Sequence, residues 1–334
     1  MKQVIPVSFD KLVTVCHLSD IHIRLYKRHQ EYKECFELLY NKLEQYRTKP
    51  GTIFVVTGDI NHAKTDMSPE MVQLCSEFLN TLANIVPTLL IAGNHDMNLA
   101  NQNRLDSLSP IVQNLANKNL HYLKESGVYR VADTDFAILS IVGDRTEWPT
   151  SADCETNTKI VLFHGPVFSA ETDSGYCVSS RTVMLSDFDG FDIAMLGDIH
   201  KHQVLKESNP IIAYAGSLIQ QNHGESITGH GWIEWDINSK KFEFHELNNP
   251  YGYITLRIID DKWTLPTYLP QNVRLRLFVS NVDNTGIKKL IALIRRSVNV
   301  VELTINRTDD SSLGAKISSE LPEDVHDITY QNAL

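Results

Sequence analysis

Between Lys11 and His200 one local pattern recurs five times: a short apolar run followed at once by a small polar motif. KLVTVCHLS leads into Asp20-Ile21-His22, TIFVVT into Gly58-Asp59, and TLLIA into Gly93-Asn94-His95-Asp96. The run at 159–163 leads into His164-Gly165, and that at 192–197 ends in Gly197-Asp198-Ile199-His200. Such runs, rich in β-branched residues, read as buried strands. Between them the spacing of Tyr32, Phe36, Leu39, Tyr40 and Leu43 predicts a helix over 28–48, ended by Pro50-Gly51. A second helix is predicted over 68–85, with Ser68 as its cap and Pro69 and Glu70 in its first turn, and a third over 104–116. Continuous apolar strands alternating with helices imply an α/β chain whose sheets are covered on their faces.

Further strands are predicted at 136–142, 211–215, 231–237 and 242–246, and a surface loop at 144–158. Near Pro250 the character changes. Residues 252–260 and 272–280 alternate like strands, a helix follows at 285–297, and a strand at 299–306. The expected organisation is a large domain over 1–249, a small α+β domain over 250–310, and an acidic tail over 311–334. The chain of 334 residues carries a formal net charge of −10, yet residues 251–300 hold eight Lys and Arg against three Asp and Glu. The net charge argues against a passive basic coat for nucleic acid, but the small domain is the one net-basic block and permits a local basic patch.

With 42% apolar and 22% charged residues the chain has an ordinary globular balance, which excludes disorder of the whole. No apolar run approaches the length of a membrane span, and the N-terminus lacks the long apolar core of a secretory signal. Cys16, Cys35, Cys75, Cys154 and Cys177 are odd in number and scattered, unlike a disulfide framework or a zinc knuckle. A reducing compartment is expected, the cytoplasm by default or the nucleus.

A lone D-x-H or G-D pair is an ordinary loop feature; five such motifs in order, each after a strand, are not. Ligands collect at the C-terminal ends of strands in open α/β sheets. Carboxylates, imidazoles and an amide arriving there from separate strands suit a two-metal site. Asp59 is the expected bridging carboxylate, and the Asn94 amide oxygen a neutral ligand. Imidazole ligands favour Mn, Fe or Zn over Mg or Ca.

The order D-x-H, G-D, G-N-H-D, H, G-x-x-H resembles the calcineurin-like metallophosphoesterases over about residues 12–247. Within them the chain is most similar to the DNA-break nucleases, bacterial SbcD and its meiotic-recombination-eleven relatives. HLSDIHI, His62 in GDINH, and the segments TyrAlaGlySerLeu at 214–218 and GlyTrpIleGluTrpAsp at 231–236 carry this finer likeness. The resemblance implies an α+β sandwich of four layers, two central β-sheets flanked by helices, with a small α+β capping domain after residue 250. It implies that Asp20, His22 and His200 hold one metal, that Asn94, His164 and Asp198 hold a second, and that Asp59 bridges them. It implies further that His95 contacts the phosphate, that Asp96 orients His95, and that His62 touches the DNA backbone. The nucleases read G-H-x-H where this chain reads GDIH, so Asp198 stands in the place of a ligand histidine, a harder donor; His202, two residues past His200, is the alternative in a shifted register.

Other residues carry open readings. Arg24, Lys27, Arg28 and His29 form a basic cluster that is either a solvated helix start or a phosphate-steering patch. Arg274, Arg276, Lys288 and Lys289 are candidates for DNA contact in the small domain. His17 is expected to pack beside the site without ligating. Apolar residues such as Met71, Leu74, Phe78, Leu105, Leu108 and Ile111 either fill the core or, as the resemblance implies, belong to a homodimer interface. The resemblance also implies two Mn²⁺ or Mg²⁺ ions, 3′-to-5′ exonuclease and single-strand endonuclease activity on DNA ends in break repair or recombination, and an SbcC-type coiled-coil ABC ATPase as partner, although the helical segment that docks on that ATPase is expected to be short or lacking here. The rival readings are a phosphatase or cyclic-nucleotide phosphodiesterase with the same metals, and a non-catalytic DNA-end-binding subunit.

Overall fold

The computed structural model describes residues 3–101, 104–260, 266 and 268–307. The expected tail at 311–334 lies outside them. In chain order the elements are β1 (Gln3–Ile5), β2 (Thr14–Leu18), α1 (His29–Leu43), β3 (Thr52–Thr57), α2 (Pro69–Ile85), β4 (Thr88–Ile91), α3 (Ser109–Leu115), β5 (Leu120–Tyr122), β6 (Gly127–Val131) and β7 (Thr134–Leu139). They continue with β8 (Thr158–His164), β9 (Ile193–Gly197), β10 (Gln203–Glu207), β11 (Ile211–Tyr214), β12 (Gly231–Asp236) and β13 (Lys241–Glu246). Then come β14 (Tyr251–Ile259), β15 (Asn272–Ser280), α4 (Asn284–Ser297) and β16 (Asn299–Arg307).

Two sheets form the larger unit. One runs β13-β12-β2-β3-β4-β5 and the other β1-β6-β7-β8-β9-β11-β10. Strands β2, β3 and β4 are parallel neighbours in the first, and β7, β8 and β9 in the second. Their facing sides make one apolar layer, with Val15, Ile53, Val55 and Leu89 from the first sheet and Phe136, Ile138, Leu162, Ile193 and Met195 from the second. The outer side of the first sheet is covered by α1, α2 and α3 through Phe36, Leu39, Met71, Phe78 and Ile111. The outer side of the second is covered by loops and short 3-10 helices through Val167, Val178 and Phe188. The result is a mixed α/β fold of two central sheets, with α-helices on the outer side of the first and loops and short 3-10 helices on that of the second.

The 104–116 helix is shorter than its periodicity predicts and begins at Ser109. The Asp106 carboxylate accepts from the amides of Leu108 and Ser109, at 2.9 and 2.6 Å, and Ser107 N donates to the Asp96 carbonyl at 2.8 Å. Residues before 109 are therefore bound to the GNHD turn instead of to a helix. The 28–48 segment is α1 followed by a 3-10 turn, Glu44–Tyr46. Of the apolar residues weighed for an interface, Met71, Leu74, Phe78, Leu108 and Ile111 are buried in the chain's own core, and Leu105 is 72% exposed. None of the five cysteines is in a disulfide. Among the described residues no helix is long and apolar enough to cross a membrane.

The second unit consists, among the described residues, of 220–228, 248–260, 266 and 268–307. Residues 220–228, which the sequence assigns to the first domain, pack here because Gln220 brackets the Tyr253 backbone, accepting its amide at 2.7 Å and donating to its carbonyl at 3.2 Å. Its sheet is the parallel array β14-β15-β16. Alternate residues Ile254, Leu256, Ile258, Leu275, Leu277 and Val279 pack with Ile287, Leu290 and Ile294 of α4. The opposite face carries Tyr251, Tyr253, Arg257, Arg274, Arg276 and Phe278, by the two-residue alternation of a strand.

Candidate metal centre

All five motifs leave the C-terminal ends of parallel strands: β2, β3 and β4 in one sheet, β8 and β9 in the other. The chain must turn sharply there, and Asp20, His22, Asp59 and Asp198 all have positive φ, at 52°, 52°, 53° and 99°. Non-glycine residues in that region are uncommon and concentrate where function holds them. Backbone hydrogen bonds lock these turns together: Asp20 N to the Gly58 carbonyl at 3.1 Å and His22 N to the Asp59 carbonyl at 2.9 Å. Helix α1 adds the Tyr32 hydroxyl, which donates to the His22 carbonyl.

Asp59 lies between two sets of donors. Its Oδ2 is 3.4 Å from His22 Nε2 and its Oδ1 is 3.3 Å from His164 Nε2. On the first side, His22 Nε2 and His200 Nε2 are 2.9 Å apart, and Asp20 Oδ1 is 3.9 and 3.8 Å from them. On the second, His164 Nε2 is 3.0 Å from Asn94 Oδ1 and 3.7 Å from Asp198 Oδ1. Asp20, His22 and His200 form one group whose ligand atoms could share an ion, as do Asp20, Asp59 and His164, and as do His22, His62 and His95. His164 Nδ1 donates to the Thr57 carbonyl at 2.6 Å, which directs Nε2 at the carboxylates. Thr57 was not singled out from the sequence; a polar residue closing the TIFVVT run was its only signal.

The electrostatics fit a cation. Burial works against a charged His164, but Asp59, Asp20 and Asp198 together outweigh it and hold its pKa well above the usual range. Burial and then the neighbouring imidazoles push His22 well below its usual value, and burial and Arg24 push His62 down to about 3, so both rings are neutral with lone pairs to offer. Burial raises Asp198 to about 6, with Asp59 and Asp20 adding to the rise, and its Oδ2 is buried with no hydrogen-bond partner. An acceptor left in that state is what a metal ligand looks like before its ion is counted. The Asp198 amide meanwhile donates to both Asp20 oxygens, at 3.2 and 3.1 Å.

The alternative register fails on geometry: His202 Nδ1 donates to the Tyr214 carbonyl at 2.9 Å and its ring stacks on Phe244. His17 is buried beside the site and bonds Thr57 Oγ1 at 2.9 Å. His95 does not take its orientation from Asp96. Its Nδ1 donates to the His62 carbonyl at 2.7 Å, and its ring lies parallel to that of His62 with centroids 5.2 Å apart. Asp96 points inward instead and accepts the amides of Asn61 and Gly93, each at 2.9 Å, so it shapes the turn that presents His95. Burial, followed by the charge of Asp59, raises its pKa to about 8.

The basic candidates divide. Arg24 is half-buried at the site, its guanidinium 2.9 Å from His62 Nε2. Lys27 is exposed. Arg28 is not available to a ligand: it is buried and forked onto Glu31 at 2.8 and 2.9 Å, a local pair that folds it under α1. In the second unit Arg274 is likewise buried, bonded to Glu302 at 3.2 Å and lying over the rings of Tyr251 and Tyr253. Arg276 is half-buried, while Lys288 and Lys289 are exposed on α4.

The family model of the calcineurin-like phosphoesterases matches residues 13–202. An uncharacterized protein of Acanthamoeba polyphaga mimivirus is 40% identical over 318 residues, covering 92% of this chain but 23% of that protein, so the chain spans about a quarter of its relative's length. Among solved structures, a dimetal phosphatase from Danio rerio is similar with a TM-score of 0.39 and 11% identity, over 68% of this chain and 93% of that one. GAP50, the anchor in the inner membrane complex of Plasmodium, is similar with a TM-score of 0.41 and 13% identity, over 87% of this chain and 96% of that one.

Proposed function

Because the chain belongs to the calcineurin-like phosphoesterase family, and so to the metal-dependent phosphoester hydrolases, we propose that its substrate is the phosphodiester backbone of DNA. The observation that carries the reading is that His22 and His164 face the two oxygens of Asp59, with Asp20 and His200 gathered around His22 and Asn94 and Asp198 around His164. Asp20, His22 and His200 would hold one ion, Asn94, His164 and Asp198 a second, with Asp59 shared. When bound, two divalent cations polarise the phosphoryl group and lower the pKa of a water. The chain's own groups do the rest. His95, with Nδ1 committed to the His62 carbonyl, has Nε2 as the atom that takes up a proton and passes it to the leaving sugar oxygen. Asp96, through the Gly93 and Asn61 amides, keeps the turn under His95 from relaxing.

DNA is favoured over a small ester by the second unit. One face of its sheet combines Tyr251, Tyr253 and Phe278 with Arg257 and Arg276, and Arg257 lies over Phe278 with 5.2 Å to the centroid. Aromatic and guanidinium planes side by side suit stacked bases and a charged backbone. In this reading the chain processes DNA ends as a homodimer with Mn²⁺ or Mg²⁺, and an SbcC-type ATPase controls access of duplex DNA. The test is cleavage of end-labelled single-stranded and duplex DNA with Mn²⁺, Mg²⁺ or EDTA, beside bis-p-nitrophenyl phosphate. Metal-dependent DNA cutting that disappears in His95→Ala is expected. Hydrolysis of the small ester with DNA left intact would replace the nuclease reading by that of a small-molecule phosphodiesterase.

A further inference from the structure

The parallel pairing of β14, β15 and β16 sets the residues on one face of the second unit's sheet in rows across the strands. On the face opposite α4, Tyr253, Arg274 and Glu302 make one row, Thr255, Arg276 and Thr304 the next, and Arg257, Phe278 and Asn306 the third. Side chains on one face recur every second residue, so successive rows lie about 6.7 Å apart along the strands. The first row is satisfied internally: Arg274 is buried, bonded to Glu302 at 3.2 Å, and lies over the Tyr253 ring with 5.1 Å to the centroid. In the other two rows, neither Arg276 nor Arg257 is paired with a carboxylate among the described residues.

Those two rows differ in chemistry. In the middle one Arg276 stands in register between Thr255 and Thr304, and His223 joins them with Nδ1 3.1 Å from Thr255 Oγ1. The loop that carries His223 is fixed to the Tyr253 backbone by Gln220. It is braced within itself by Glu225, which accepts the Gln221 amide at 2.6 Å and the Asn222 side-chain amide at 2.9 Å. Burial, then Arg276 and Arg274, lower the His223 pKa to about 4, so its ring is a neutral hydrogen-bonding group near guanidinium cations. A cation, two hydroxyls and an imidazole suit a phosphate group. In the third row the exposed Arg257 lies over the half-buried Phe278 ring with 5.2 Å to the centroid. A flat cation backed by an aromatic ring is a surface on which a nucleobase stacks.

We propose that this face is a subsite for one unpaired nucleotide of a DNA strand, its phosphate held by Arg276 with Thr255, Thr304 and His223, and its base stacked on the Arg257–Phe278 pair. The proposal rests on the reading of DNA as the substrate, though not on its cleavage, and adds that the strand held here is single. A base inside a duplex is covered on both faces by its neighbours, so a ring platform selects one that is out of the stack. Charge complementarity favours the same occupant. Residues 251–300 hold eight Lys and Arg against three Asp and Glu in a chain of net charge −10, so an anionic strand is drawn to this unit.

Fluorescence anisotropy of the full chain tests this with three labelled probes of equal length: oligo-dT, a duplex, and a strand of abasic sites that keeps the phosphates and lacks the bases. EDTA throughout keeps the probes uncut. The parent chain is expected to bind oligo-dT about tenfold or more tightly than either of the others. Phe278→Leu, which keeps apolar bulk and loses the plane, should weaken oligo-dT binding about five- to 100-fold and leave the abasic strand bound as before. Arg276→Gln should weaken both single strands and reduce their salt slope by about 0.7. A duplex or an abasic strand bound by the parent chain as tightly as oligo-dT, a comparison that needs no variant, would overturn the subsite. So would a Phe278→Leu chain that binds oligo-dT unchanged. DNA cut with Mn²⁺ by a chain that fails these binding tests would remove the subsite alone; a chain that passes them and cuts no DNA would keep the subsite and remove the nuclease reading.

Discussion

A Cβ on Gly93 would collide with both the carboxylate and the amide nitrogen of Asp59, and one on Gly58 would come within 2.6 Å of His164 Nδ1. Both glycines of the G-D and G-N-H-D motifs are therefore required by how closely neighbouring strand ends approach. Gly93→Ala is expected to lose Mn²⁺ binding and to lower stability by about 1–3 kcal/mol, because the turn has to shift off its partner. Calorimetric titration and a thermal melt check this, and an intact Mn²⁺ isotherm would mean that the turn can move aside. The motif residues were legible in the sequence at this scale, because each stands alone as a polar break after an apolar run. Their partners were not. Asp96 reaches Asn61 and Gly93 instead of His95, and Arg28 is absorbed by Glu31. Residue type and spacing name a donor or an acceptor without naming what it will meet.

The elements divide by what stabilises them. Helix α2 is written locally: Ser68 caps it by accepting the Met71 amide at 3.2 Å, Pro69 occupies its first position, and Met71, Leu74, Phe78 and Leu82 form its buried stripe. Ser68→Ala is expected to cost about 1 kcal/mol and to leave cleavage at saturating metal unchanged. Loss of activity without loss of stability would instead point to the second bond of the same hydroxyl, to the Leu25 carbonyl in the loop between His22 and α1. The short strands β1, β5, β6 and β10 escape a reading of the sequence. They are three to five residues long and exist because a neighbouring strand supplies their hydrogen bonds. Helix α3 fails in the other direction: its periodicity extends to residue 104, but Asp106 holds the amides of Leu108 and Ser109 in a turn and the helix begins only at Ser109.

Across the whole chain, buried titratable groups set how stability depends on pH. Burial lowers the His17 pKa from 6.5 to about 3, so the folded chain keeps the ring neutral where the unfolded chain would protonate it. The stability associated with this is complete above pH 6.5 and is lost as pH falls from there toward 3. Asp135 comes later. Burial alone would raise it, but the Arg130 guanidinium at 2.9 Å and the amides of Glu155 and Thr156 hold it below its usual value, so its contribution is lost only as pH falls below 3.8. Denaturant melts from pH 7.5 to about 4 are expected to fall more steeply for the parent chain than for His17→Gln, by about 1.4 kcal/mol per pH unit in the acid limb. Parallel curves would show that His17 protonates in the folded chain. On the proposed nuclease reading, removing the exposed Lys288 and Lys289 together is expected to weaken DNA binding about equally for all sequences and to reduce the salt slope by roughly two. An unchanged slope would take α4 out of the DNA-contacting surface.

What the sequence determined by itself is local and periodic. It set the strands that end in motifs, the helices that alternate with them, the change of character near Pro250, and the list of donors that a metal site would use. Hydrophobic period and chain chemistry act over a few residues, and those features need no more than that. What only the tertiary structure decided is pairwise and distant: that Asp59 has one oxygen for each half of the site, that Asp198 and not His202 faces His164, and that Arg24 lies on His62. Those relations join residues from different strands and loops, and they are set by how two sheets pack through their shared apolar layer, which no stretch of the chain encodes alone.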